Sequence, residues 1–199
     1  INNGTNGLIP AGTTGESPTL THDEHMQLIE YAIKIVKKRV PVIAGTGSNS
    51  TQEAIEFTKH AFTAGADYGW AVTPYYNKPN QDGLINHFKI IAKATPLKQI
   101  IYNIPGRSIV DLSLDSFKEL NKISNIVAIK DASNDISRPL LMRTFMKKDF
   151  NYLSGEDGTI AGFLAQGGHG CITVAGNVAP KLTSESVSYT HLRAHETRI

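Results

Sequence analysis

The chain has 199 residues, 40% of them hydrophobic and 19% charged, with a formal net charge of +2. This is ordinary composition for a globular protein, and so small a charge gives nucleic acid or an anionic membrane surface nothing to hold. A single cysteine, Cys171, excludes a disulfide framework and a cysteine-built metal site. No apolar run approaches the ~18 residues of a membrane span, and no signal-like segment opens the chain, so the cytoplasm is the default location. Seven short apolar runs then follow one another: Gly7–Ala11, Pro41–Ala44, Tyr68–Thr73, Gln99–Tyr102, Ile126–Lys130, Tyr152–Ser154 and Cys171–Val174. Helical patterns separate them. Thr21-x-x-Glu24 is a capping box, and Met26, Leu28, Ile29, Ile33 and Val36 form the apolar face behind it. Ser50-x-x-Glu53 opens a second helix that stops at Ala64-Gly65. Further helices are expected at about Gln81–Ala94, Leu114–Asn121, Ser137–Met146 and Thr159–Gln166.

Strand and helix therefore alternate, the mark of βαβ units on a parallel sheet. Polar and glycine-rich segments follow each strand end: G-T-T-G-E, G-T-G-S-N, T-P-Y-Y-N, Y-N-I-P-G-R, K-D-A-S, S-G-E-D and A-G-N. A barrel gathers such segments on one face, whereas an open sheet gathers them only at its switch point. There is no G-x-G-x-x-G and no G-x-x-x-x-G-K-[ST], so nucleotide binding has no support. The expected fold is α/β, a (β/α)8 TIM barrel that is incomplete, with about seven strands and its first strand missing. Residues 1–185 form the partial catalytic domain. Residues 186–199 carry no continuing amphipathic period and are expected to be a disordered or foreign tail. The chain opens on Ile1 and reads as a fragment.

Ile126–Ser133, I-V-A-I-K-D-A-S, carries the chemistry. Its apolar residues suit a strand buried on both faces, and Lys130 ends it. In an apolar pocket a lysine amine is pushed toward neutrality and can attack a ketone to form a Schiff base. A lysine there can also snorkel to solvent or pair with Asp131. Thr13 and Thr14, in the turn after the first run, can hydrogen-bond a ligand or simply cap the turn. Tyr102 ends a strand as a proton-carrying phenol or as a structural tyrosine. Arg107 offers a planar fork for a carboxylate. Tyr75-Tyr76 has the composition of an interface. His22 and His25 lie three apart on one helix, and with no third ligand in step they read as a polar face rather than a metal site. His169, in G-G-H-G, reads as a turn.

Taken together, G-T-T-G-E-S (Gly12–Ser17), P-Y-Y-N-K-P (Pro74–Pro79), Y-N-I-P-G-R-S (Tyr102–Ser108), I-K-D-A-S (Ile129–Ser133), L-S-G-E-D (Leu153–Asp157) and G-G-H-G-C-I-T-V (Gly167–Val174) resemble the dihydrodipicolinate synthase family. That family belongs to the pyruvate-dependent Schiff-base lyases. The resemblance covers roughly Gly7–Lys181, and it implies that the family's C-terminal helical region is missing from this TIM barrel as well as the first strand. It implies that Lys130 forms an imine with pyruvate, that Tyr102 moves protons, and that Thr13 with Tyr76 of a neighbouring subunit completes the relay. It further implies that Thr14, Gly155 and Ile172 hold pyruvate and that Arg107 binds the carboxylate of L-aspartate 4-semialdehyde. Ser17, Pro18, His22, His25, Asn49, Glu53 and Tyr75 match a feedback site for L-lysine, with Pro18 in place of a small residue.

The reaction so implied condenses pyruvate with the semialdehyde to 4-hydroxy-tetrahydrodipicolinate, the committed step toward diaminopimelate and lysine, in a homodimer or homotetramer. No metal or organic cofactor is called for, since the imine on Lys130 is the electron sink. The rivals are another pyruvate aldolase (an N-acetylneuraminate lyase or a keto-deoxy-sugar aldolase), a non-catalytic barrel that binds a keto acid or lysine, and a metal-dependent barrel aldolase. With its first strand lost, the 199-residue chain is expected to be poorly soluble and weakly active.

Overall fold

The computed structural model describes residues 1–196, with side chains to residue 190. Six strands form one parallel sheet in chain order: β1 (Ile43–Gly45), β2 (Tyr68–Val72), β3 (Lys98–Asn103), β4 (Ile126–Asp131), β5 (Asn151–Ser154) and β6 (Gly170–Cys171). The helices, in chain order, are α1 (His22–Val36), α2 (Thr51–Ala64), α3 (Gln81–Ala94), α4 (Pro105–Ser108), α5 (Leu114–Leu120), α6 (Arg138–Met142), α7 (Ile160–Ala165) and α8 (Pro180–Glu196). Because the strand order never doubles back, the sheet has no switch point; it is a stretch of barrel wall. No described helix is long and apolar enough to cross a membrane.

The first of the seven apolar runs joins the wall without becoming a strand. Ile43 N donates to Leu8 O (2.9 Å) and Gly45 N to Pro10 O (3.0 Å), yet only the Leu8–Val42 bridge forms. Pro10 has no N–H to offer, and Ala11 swings to a φ of 53°, so the ladder stops there. Gly45 allows this approach: a Cβ on it would lie 2.0 Å from Ala11 O.

The two faces of the sheet bury different groups, as strand alternation requires. Ala71, Ile101 and Ile129 face the helices and join Leu84, Phe88, Phe117 and Leu120 in the main core. Trp70, Ile100, Tyr102 and Ala128 face inward and make a second cluster with Ile9, Val72 and Leu153. Tyr102 belongs to this inner cluster, and Lys130 lies beside it in register on β4.

The helix signals act as read, with three differences. Thr21 forms the full capping box with Glu24. Ser50 caps α2 through Glu53 N, but the Glu53 carboxylate does not return to the cap, because His22 binds it (2.6 Å). The helix expected over Ser137–Met146 is only Arg138–Met142, and a short helix at Pro105–Ser108 adds to those expected. Residues 186–196 are helical, continuing α8 from Pro180. No glycine or proline interrupts residues 181–196, so a helix started at Pro180 has nothing to stop it. Residues 197–199 of that expected tail lie outside the described residues.

Candidate active site

β3 and β4 run in register with Tyr102 opposite Lys130, so both side chains enter the barrel interior at the same height. Lys130 is 8% exposed, and its Nζ lies 4.1 Å from the Tyr102 ring centroid and 5.0 Å from that of Trp70. Burial pushes its amine down to about 8; Arg107 adds to the effect and Asp157 opposes it. About a tenth of the amine is then neutral at pH 7, against roughly one in a few thousand for a solvated lysine. Burial likewise pushes the Tyr102 phenol up to about 12, against the pull of Arg107 and a hydrogen bond with the Thr13 side chain. Tyr102 therefore stays protonated as an acid, linked to a hydroxyl that can carry its proton onward.

The lysine does not pair with Asp131. The next residues on each strand, Asn103 and Asp131, turn to the opposite face, where Arg138 holds both sides together. Its guanidinium reaches Asp131 (3.3 Å), Leu112 O (3.1 Å) and Asp111, while Asn103 Nδ2 donates to Asp111 (2.7 Å). Gly155 packs on the lysine stem: a Cβ there would lie 2.9 Å from Lys130 Cε and from Ala132 Cβ. Gly155 N also donates to Asp131 O (2.6 Å).

Arg107 is exposed at the mouth of the site. Thr13, Ser17, Pro18, Gly47, Val72, Tyr75, Ile104, Arg107 and Ser108 line one cleft of about 200 Å³, which joins Thr13 and Arg107 to Ser17, Pro18 and Tyr75 of the expected lysine set. Thr14 is exposed in the turn closed by Gly15 N to Gly12 O (3.0 Å) and Glu16 N to Thr13 O (3.1 Å). Ile172 is half-buried just past β6, its N–H held by Ser154 O (2.9 Å). Tyr76 is not brought to Lys130 within the chain; it is 87% exposed, with a φ of 72°.

The expected lysine set gathers around α1 and α2. His22 pairs with Glu53, and hydrogen bonds from Ser48 and His22 hold the Glu53 carboxyl below its ordinary range. His25 is buried, stacks on Phe57 (4.2 Å) and binds Gly45 O (2.7 Å), and burial lowers its imidazole. Tyr75 hydrogen-bonds the Asn49 backbone, and burial raises its phenol. Both histidines are thus engaged singly, and among the described residues no three His, Cys, Asp or Glu side chains converge as metal ligands. His169 does more than turn the chain: its Nδ1 accepts from Tyr152 N (3.0 Å).

Sequence reasoning passes over Trp70 and the Asn103–Asp111–Arg138–Asp131 network. The signal for Trp70 is present, since Tyr68, Trp70 and Val72 alternate on the face that carries Tyr102 on the next strand and Lys130 on the one after. The network had none, because Asp111 and Arg138 lie in loops and helix starts whose meeting depends on the fold.

The profile of the dihydrodipicolinate synthetase family matches residues 1–193. The 4-hydroxy-tetrahydrodipicolinate synthase of Bradyrhizobium diazoefficiens is 57% identical over 185 residues, 93% of this chain and 62% of that protein. The chain thus spans about three fifths of the length of that relative. The structure of dihydrodipicolinate synthase from Acinetobacter baumannii complexed with pyruvate superposes with a TM-score of 0.92 at 46% identity, covering 98% of this chain and 69% of that one. The enzyme from Cyanidioschyzon merolae with lysine bound gives 0.91 at 38% identity, over 98% and 69%. This chain belongs to the dihydrodipicolinate synthetase family.

Proposed function

We propose that this chain carries the site at which pyruvate is condensed with L-aspartate 4-semialdehyde to 4-hydroxy-tetrahydrodipicolinate. The observation that carries the reading is the Lys130 amine, held away from water against the Tyr102 ring and lowered to about 8. The neutral amine adds to the ketone carbon of pyruvate, and loss of one water gives the imine. Tyr102 and Thr13 supply and take up the protons of those steps, with Tyr76 of a second copy as the third member of the relay. The imine withdraws electrons from the adjacent methyl group, which loses a proton to give an enamine. No organic cofactor is needed for this. The enamine carbon attacks the semialdehyde, whose carboxylate Arg107 holds at the mouth. The substrate's own amine then closes the ring and displaces Lys130, so that one water leaves overall.

Thr14, Gly155 and Ile172 hold pyruvate. L-lysine binds among Ser17, Pro18, His22, His25, Asn49, Glu53 and Tyr75 as a feedback inhibitor, and the exposed Tyr76 favours a homodimer or homotetramer as the working form. A chain with one cysteine suits the cytoplasm.

Borohydride reduction in the presence of pyruvate tests the reading. A pyruvate adduct on Lys130, lost in Lys130→Ala, is expected; no adduct on the wild-type protein would sink it. Turnover of pyruvate with aspartate semialdehyde, and none with N-acetylmannosamine, separates this activity from a sugar-acid aldolase.

A further inference from the structure

The floor beneath the Lys130 amine is aromatic. Trp70, on β2, is 5% exposed and stacks on Tyr102 with ring centroids 4.6 Å apart and planes at 24°. Its centroid lies 5.0 Å from Lys130 Nζ, and that of Tyr102 lies 4.1 Å away, so two rings face one amine. At its far edge the indole meets the Gly12 turn, where a Cβ would come 3.3 Å from Trp70 Cζ3. One side chain therefore spans the interior from the turn that bears Thr13 to the strands that bear Tyr102 and Lys130. The indole N–H finds no acceptor among the described residues. Burying an unpaired donor costs free energy that an aliphatic side chain of similar size would avoid. No hydrogen bond explains the residue; its ring contacts do.

We propose that Trp70 is a positioning residue for imine formation, its indole face holding the Lys130 amine over Tyr102. The proposal rests on the reading of Lys130 given above. A ring face attracts the ammonium form and not the neutral amine, so it works against the desolvation that favours neutrality. The charged and titratable groups bearing on that amine are Arg107 beyond β3 and Asp157 beyond β5, with the Tyr102 hydroxyl close by. None is on β2, so removing the indole leaves them all in place.

The test follows pyruvate trapping by borohydride as a function of pH in the wild type, Trp70→Phe and Trp70→Leu. Loss of the indole face is expected to move the midpoint of trapping to lower pH by about half a unit to one unit in Trp70→Leu. Trapping on the high-pH plateau should also slow, by several-fold, as the amine loses its orientation. Trp70→Phe keeps a ring and should lie between. Thermal unfolding checks that the variants fold, and Trp70→Phe carries the test should Trp70→Leu not fold. Trp70 is also the only tryptophan in the chain, so pyruvate should change the emission of the wild type and leave that of Lys130→Ala unchanged. Trapping midpoints that match the wild type, with only the unfolding temperature lowered, would mean that Trp70 merely fills space and would overturn the proposal. Absence of any adduct in the wild type would instead remove the Schiff-base reading together with this one.

Discussion

A lysine kept from water destabilises the protein that holds it, and Lys130 is that residue here. Its amine stands at about 8 in the folded chain against 10.5 for an ordinary lysine. Between those values the unfolded chain binds more protons, so stability should climb as pH rises from 8 to 10.5. Lys130→Met is expected to abolish the pyruvate adduct yet raise unfolding free energy at pH 7, by roughly 3 kcal/mol at most. Denaturant titrations at pH 7 and above pH 10.5 check this, since the gain should vanish at the higher pH. Gly155 matters for a steric reason at the same place. Gly155→Ala would press a methyl group on Lys130 Cε and Ala132 Cβ, both 2.9 Å away. Imine formation should fall by roughly ten- to a hundredfold, seen as slower trapping by borohydride.

Pairs of elements are held by polar groups that the apolar periodicity does not reveal. α2 and α3 meet through Thr51 Oγ1 and His87 Nδ1, 2.9 Å apart, in a buried setting that pushes His87 down to about 4. The folded chain then binds fewer protons than the unfolded one between pH 6.5 and 4, so stability should drop as pH falls through that window. His87→Gln should flatten the drop, as followed by denaturant unfolding at pH 7 and pH 4.5. The ends of β3 and β4 are joined behind the site by Arg138, which faces the buried Asp131. Arg138→Met would strand that carboxylate and should cost ~3–5 kcal/mol, whereas the double variant with Asp131→Asn should recover much of it.

Across the whole molecule, the wall of strands ends in two edges. β6 pairs only with β5 among the described residues, and the Leu8 segment makes a single bridge to Val42. Unpaired strand groups of this kind recruit other chains. The 199-residue chain by itself should therefore self-associate, measurable by sedimentation, and a stable monodisperse monomer would contradict this. Legibility in the sequence follows the range of the interaction. The Thr21 box, the Ser50 cap, six of the seven apolar runs and the strand-end placement of Lys130 and Tyr102 all depend on neighbours a few residues away, and all could be read in advance. Residues 186–196 show no apolar stripe, yet they continue the helix from Pro180 with no glycine or proline to break it.

The sequence by itself determined the alternation of strand and helix, the caps, and the set of reactive residues that follow strand ends, since each is encoded within a turn or two of chain. Only the tertiary structure decided that Tyr102 and Lys130 stand at one height, that Asp131 belongs to Arg138, and that a tryptophan lies beneath the amine. The reason is that register and desolvation are properties of what lies across the barrel, and no local pattern records what a side chain will face there.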